Sequence, residues 1–327
     1  MRRLRHLAVG FAIFVLAGLI AVGGAHAQDW PTRATRIVVP FPAGGPNDVI
    51  ARLLAQRFAE KFGQPFVVEN RSGANGNIGT DFVAKSAPDG YTLSFSTSGP
   101  LANNRYLYKS MPYDPARDLA PIILVAEIPL IAVVNVKVPA KNLKELADLA
   151  RARPGQLNAG SSGGNGSASH LTLELFKSIA KVDLVHVPFK GSGPSIPELL
   201  GGNIQLIFDP IPTSFRHVQA GTLRGLAVTT RSRFPALPDV PTAIEEGFDM
   251  EASFWSALLG PAGLPRPIVN KLNQEVNQYL DSAEGRGKLV GLGAQPIGGP
   301  PERVSSMIAT DSAKWKRIIE SSGAKLD

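Results

Sequence analysis

An α/β fold of two lobes is predicted by three features of this chain. Apolar strand-like runs alternate with helical patterns, which implies mostly parallel sheets flanked by helices. Two glycine-rich turns, Phe41-Pro-Ala-Gly-Gly-Pro-Asn-Asp48 and Gly160-Ser-Ser-Gly-Gly-Asn-Gly-Ser-Ala-Ser-His170, each lead from a strand-like run into a helical pattern. One apolar run, Ile122 to Val138, is too long for an ordinary strand and reads as a crossing between lobes.

The first lobe opens with Arg36-Ile-Val-Val-Pro40, a buried strand. After the glycine turn, Asn47 or Asp48 is expected to cap a helix marked by Val49, Ile50, Leu53, Leu54 and Phe58, which Gly63 ends. Phe66 to Glu69 is the next strand, followed by another glycine-rich turn, Ser72 to Gly79, besides the two named above. A helix through Phe82, Val83 and Lys85 leads to strand Thr92–Ser96 and the polar turn Thr97-Ser-Gly-Pro100.

After the crossing, a second α/β set begins with a helix over Leu143–Arg151 and a strand over Leu157–Ala159. Leu171, Leu175, Phe176 and Ile179 mark a helix, Val182 to Pro188 a strand. Pro197 fits the first position of a short helix, Glu198-Leu-Leu. Ile204 to Phe208 is a strand with Asp209 at its C-terminal end, and Leu223 to Thr229 is the expected return crossing. Strand Ser253–Leu259 and helices around Ile268–Leu280, Glu284–Val290 and Glu302–Ile319 complete the chain. The first lobe is therefore expected over residues 28–127 and 232–327, with the second, 128–231, inserted in it.

The chain starts with Arg2, Arg3 and Arg5, an apolar run from Leu7 to Val22, and Ala25-His-Ala27. This is the pattern of a secretory signal peptide, so residues 1–27 are expected to be removed on export to the periplasm, leaving Gln28 first. No cysteine occurs, which rules out disulfides and thiolate chemistry. The formal charge is +7, and loss of the three leading arginines leaves a modest excess without long basic runs. Arg224, Arg231 and Arg233 read as solvated surface, and no nucleic-acid footprint is found.

Each glycine turn offers free backbone N–H groups at a helix N-terminus, which suits a carboxylate or other anion. The first presents Phe41, Gly44, Gly45, Asn47 and Asp48. The second presents Ser161, Ser162, Gly163, Asn165 and His170, with serine hydroxyls able to donate to ligand oxygens. Lys190 and Gly191 in Pro188-Phe-Lys-Gly-Ser-Gly193 form a further donor turn, where Lys190 is either solvated or a cationic neighbour of the ligand. Asp48 either caps its helix or orients a ligand group. Asp209 ends a buried-looking strand, where an unpaired charge is costly. Phe41 and Phe189 supply apolar walls or simply pack, and Asn75, Thr97 and Ser98 sit on neighbouring turns.

Gly160-Ser-Ser-Gly-Gly164 also matches the nucleophile elbow of hydrolases, with Ser162 as nucleophile. That reading needs a helix directly after the serine, and four loose residues intervene. His170, His186 and His217 lack metal-binding spacing, and neither a Walker nor a dinucleotide fingerprint occurs. No metal and no cofactor are expected.

These segments make the sequence resemble solute-binding proteins of the tripartite tricarboxylate transporters, the Bug or TctC family, over nearly all of residues 29–327. The resemblance rests on Val38-Val-Pro-Phe-Pro-Ala-Gly-Gly45 with Asp48, Val68-Glu-Asn-Arg71, Ala87-Pro-Asp-Gly-Tyr91 and Met111-Pro-Tyr-Asp114. It continues through Gly160-Ser-Ser-Gly163 with His170-Leu171, His186-Val-Pro-Phe-Lys-Gly191, Leu199-Leu-Gly-Gly-Asn203, Phe208-Asp209, Leu237-Pro-Asp-Val-Pro-Thr242 and Trp255. It implies a type II periplasmic-binding fold, no enzymatic activity, and capture of a small organic anion for a membrane permease, by a protein expected to be a monomer. By matching position it implies ligand contacts at Gly44, Gly45, Asp48, Ser161, Ser162, Gly163, Lys190 and Gly191. The chain departs from the pattern at Pro100-Leu101, Asn75 and Arg105. The competing readings are an exported hydrolase and a ligand sensor for a membrane receptor.

Overall fold

The computed structural model describes residues 30–326; the expected signal peptide and its cleavage site lie outside them. In chain order the elements are β1 (Thr35–Val39), α1 (Pro46–Phe62), β2 (Phe66–Asn70), α2 (Asn77–Ala84), β3 (Thr92–Thr97), α3 (Asn104–Leu107), α4 (Pro115–Asp118) and β4 (Leu119–Asn135). There follow α5 (Leu143–Ala152), β5 (Asn158–Ser161), α6 (Ala168–Ala180), β6 (Val185–Pro188), α7 (Ser192–Gly201), β7 (Leu206–Pro210), α8 (Ile211–Gln219) and β8 (Leu223–Val228). The chain closes with β9 (Ser253–Pro261), α9 (Arg266–Asp281), α10 (Ala283–Gly291), β10 (Gln295–Pro296) and α11 (Glu302–Ser322).

Two lobes share one long strand. In the first, β2, β1 and β3 lie parallel in that order, β9 runs antiparallel to β3, and β4 runs antiparallel to β9. In the second, β6, β5 and β7 repeat the parallel arrangement, and β4 borders β7 antiparallel. The first half of β4, to Pro129, pairs with β9, and its second half, from Leu130, pairs with β7 and β8. The expected crossing is therefore present, displaced by three residues to Leu119–Asn135.

Both faces of each sheet are covered, which is why the strands read as continuous apolar runs. In lobe 1, α1 and α9 bring Leu54, Phe58, Leu272 and Val276 onto Ile37, Phe95 and Ile123. In lobe 2, Ala132 and Val134 face Leu146, Phe176 and Phe208, while Ile131 and Val133 face Ile196, Leu199 and Ile211. That is the two-residue alternation of a strand.

Four features differ from expectation. β8 is not a return crossing: it lies wholly against Ile131–Asn135. Phe234, Leu237 and Val240, then Phe248, Met250 and Ala252, bury their side chains in lobe 2 cores, so the chain leaves lobe 2 only at Ser253. Helix α11 serves both lobes, with Val304 and Ile308 in a lobe 1 core and Trp315 and Ile319 in a lobe 2 core. Finally, α7 begins at Ser192, which places Pro197 inside the helix and not at its first position.

Candidate functional site

A cavity of about 550 Å³ opens between the lobes, within the range of small-molecule sites. It lies where the C-terminal ends of β1, β3, β5 and β7 meet helix starts, the usual place for ligands in open α/β sheets.

The lobe 1 wall begins with the loop from β1 to α1. Gly44 takes φ +82°, a conformation that favours glycine. Gly45 caps α1 and Pro46 occupies its first turn, so neither Asn47 nor Asp48 is the cap. Asp48 instead reaches back: its carboxylate accepts the Gly44 N–H at 2.9 Å, Arg52 Nε at 2.9 Å and Asn70 Nδ2 at 3.0 Å. Burial raises its pKa, but the hydrogen bonds and the Arg52 charge outweigh that and hold it below the usual carboxylate range. Asn70 Nδ2 also donates to the Phe41 carbonyl at 3.0 Å, fixing the loop's other end.

Asn75 lies in the left-handed region at φ +50°, which asparagine tolerates. Its amide donates to Asn104 Oδ1, and Asn104 donates back to its carbonyl, both at 3.0 Å. Beyond β3 the expected polar turn is a π-helical turn, Gly99–Asn103, with Pro100 in its first positions, where no N–H is needed. Three polar side-chain atoms on this wall are buried without a hydrogen-bond partner: Asn47 Oδ1, Thr97 Oγ1 and Asn103 Oδ1.

The lobe 2 wall is the loop from β5 to α6. The Ser162 N–H donates to Ser169 Oγ at 3.1 Å, and Ser169 donates in turn to the Phe208 carbonyl. Ser167 caps α6 by accepting the His170 N–H at 3.2 Å, and donates to the Gly164 carbonyl at 2.8 Å. The Gly166 N–H donates to His170 Nδ1 at 3.0 Å, which requires that nitrogen to be unprotonated. His170 stacks on His186 at 4.0 Å between centroids, and His186 Nε2 meets Ser161 Oγ at 2.7 Å. Burial pushes both imidazoles down to about 4; Lys177 adds to this at His170, and the charge of His170 adds to it at His186.

A third loop carries Lys190, which is exposed and forms no ion pair among the described residues, and Gly191, the cap of α7 at φ +150°. Asp209 lies behind it, fully buried. Its oxygens accept from Ser192 Oγ and Ser214 Oγ, each at 2.7 Å, and from Thr213 Oγ1. Three hydroxyls thus satisfy a carboxylate that would be costly if left bare.

Of the residues singled out from sequence, Phe41, Asn47, Asn75, Thr97, Ser98, Ser162, Gly163, Lys190 and Gly191 line the cavity. Gly44, Gly45, Asp48, Ser161, Asn165, His170, Phe189 and Asp209 are not among its lining residues. Asp48, His170 and Asp209 instead hold the three loops in shape. Asn103, Ile128, Leu130, Pro212, Thr213 and Phe254 line the cavity and were missed. Asn103 could have been found as a polar residue just beyond the C-terminal end of a strand; the others read as ordinary strand or turn residues.

The elbow reading of Ser162 finds no support in this geometry. The serine bonded to a histidine is Ser161, which is fully buried, and its partner ring is itself stacked and poorly basic. Among the described residues no group of three or more His, Asp or Glu side chains could hold a metal ion.

Residues 50–324 match the family described as "Tripartite tricarboxylate transporter family receptor", TctC. The chain is 38% identical over 328 residues to Protein BugT of Bordetella pertussis, covering 100% of both chains. It is similar to the solved structure of Rpa4515 of R. palustris with adipate: TM-score 0.82, 41% identity, 91% of this chain and 100% of that one. It is also similar to MatC (Rpa3494) from Rhodopseudomonas palustris with bound malate: TM-score 0.77, 33% identity, 89% of this chain and 100% of that one. The chain belongs to the TctC family of tripartite tricarboxylate transporter receptors, solute-binding proteins and not enzymes.

Proposed function

We propose that this chain is exported, loses residues 1–27, and works in the periplasm as a monomer. There it captures a small carboxylate-bearing metabolite between its lobes and delivers it to the membrane subunits of a tripartite tricarboxylate-type transporter. The observation that carries this reading is the lobe 2 wall. Lys190, unpaired among the described residues, stands at a cavity that also receives Ser162 and the first turn of α6, which holds no acidic residue. A cation, a hydroxyl and a helix N-terminus together favour an anionic oxygen pair. Similar proteins of known structure carry adipate and malate, which supports a carboxylate here.

Calorimetric titration of the mature protein against mono- and dicarboxylates tests it. Saturable one-to-one binding of at least one acid is expected; a folded protein that binds none overturns the reading. N-terminal sequencing of exported protein should begin at Gln28. Loss of uptake of the bound acid on deleting the gene would mark delivery to a transporter.

A further inference from the structure

The two walls of the cavity are chemically unequal. Lys190, on lobe 2, is the only ionisable side chain among the residues that line it. Lobe 1 contributes no cation, and the N-terminus of its helix α1 already has an internal carboxylate, Asp48, in its first turn. Asp209 plays the corresponding part on lobe 2 for α7 and α8, but α6 has no acidic residue in its first turn. The cationic side chain of the cavity therefore lies on the lobe 2 side.

Lobe 1 instead offers three neutral groups, each at least 95% buried: Asn47, Thr97 and Asn103. The atoms Asn47 Oδ1, Thr97 Oγ1 and Asn103 Oδ1 find no partner in the protein, although buried polar atoms almost always have one. Neither asparagine amide makes any other side-chain hydrogen bond among the described residues. An amide both donates and accepts, and so does a hydroxyl. Between the two walls the lining is apolar, with Phe254, Ile128 and Leu130 from the strands that join the lobes.

We propose that the cavity selects a monoanion: a carboxylate toward Lys190, an apolar spacer, and a neutral hydroxyl or amide at Asn47, Thr97 and Asn103. This rests on the carboxylate reading above and narrows it. A second carboxylate at the lobe 1 end would be desolvated with no cation to meet it, which is costly. A plain alkyl end would leave the three polar groups unpaired, which a site built for a hydroxyl penalises strongly.

The test is calorimetry at pH 7.5 with three series of four to eight carbons: ω-hydroxy acids, unsubstituted monoacids and dicarboxylates. At the best chain length the hydroxy acid should bind about tenfold or more tighter than either counterpart. Thr97→Val, nearly isosteric, and Asn103→Leu should each reduce the preference for hydroxy acid over plain acid to about threefold or less. Tightest binding of a dicarboxylate, or a preference unchanged in Thr97→Val, overturns the proposal while leaving the carboxylate reading standing. Binding of no acid in any series, by protein with native circular dichroism, overturns both.

Discussion

The carboxylate of Asp48 accepts the backbone N–H of Gly44 at 2.9 Å, so the helix that follows the first glycine turn holds that turn closed. The same oxygen takes Arg52 Nε at 2.9 Å. Asp48→Ala should therefore act on stability first, costing about 1–3 kcal/mol by removing the charged acceptor of three hydrogen bonds, from Gly44, Arg52 and Asn70. Thermal unfolding should show a drop of several degrees, with weaker ligand binding as a consequence of the loosened loop. A variant as stable as wild type that has lost its ligand would mean that Asp48 touches the ligand directly.

Glycines in the two turns differ in what they tolerate. A Cβ on Gly45 would meet only the Pro42 carbonyl at 3.7 Å, with φ at −75°. A Cβ on Gly166 would stand 2.7 Å from Leu107 Cδ1 and 2.9 Å from Leu326 Cδ1, at φ +75°. Gly45→Ala should bind ligand within about threefold of wild type. Gly166→Ala should melt earlier and bind at least about tenfold more weakly, since strain and overpacking each cost on the order of 1–3 kcal/mol. Parallel melting curves and titrations check both; equal behaviour of the two variants would contradict the loop geometry.

The stacked histidines give a pH dependence with a definite sign. His170 and His186 have pKa values lowered to about 4 from 6.5. Between those values the unfolded chain binds more protons than the folded one, so stability is complete above pH 6.5 and falls as pH drops toward 4. Protonation of His170 Nδ1 would also remove the acceptor of the Gly166 N–H. Proton NMR of the imidazole C–H signals should show two rings titrating near 4. Midpoints near 6.5 for both would contradict the burial described.

Ser162 has a hydroxyl on the cavity wall, while its N–H is already held by Ser169. Ser162→Ala should weaken carboxylate binding by roughly 0.5–1.5 kcal/mol, up to about tenfold in Kd, without abolishing any hydrolytic activity. Calorimetry and an ester-hydrolysis assay together decide this; a lost esterase would restore the elbow reading.

Much of the fold was legible because strands covered on both faces read as apolar runs and each glycine turn announces a helix start. The crossing strand was visible in Ile122–Val138 for the same reason. What stayed hidden depended on partners distant in sequence. Nothing local shows that Trp315 packs into lobe 2 while Val304 serves lobe 1, or that Phe234 and Met250 still belong to lobe 2. At the site, residue types pointed to the right loops but not to which side chains face inward. Asp48 and Asp209 were natural ligand contacts by charge, yet each is occupied by donors from its own loop. Asn103, with no charge and no motif, has a buried oxygen without a partner.

Capture between lobes is tested most directly by small-angle scattering during a titration with the tightest-binding acid. β4 and α11 are shared by both lobes and the chain recrosses at Ser253, so closure is expected to bend at these three connections and bring the loops of Ser162 and Lys190 toward those of Asn47 and Asn103. The radius of gyration should decrease along the same saturation curve as the calorimetric heat. An acid that binds with clear heat yet leaves the radius of gyration unchanged would contradict the account.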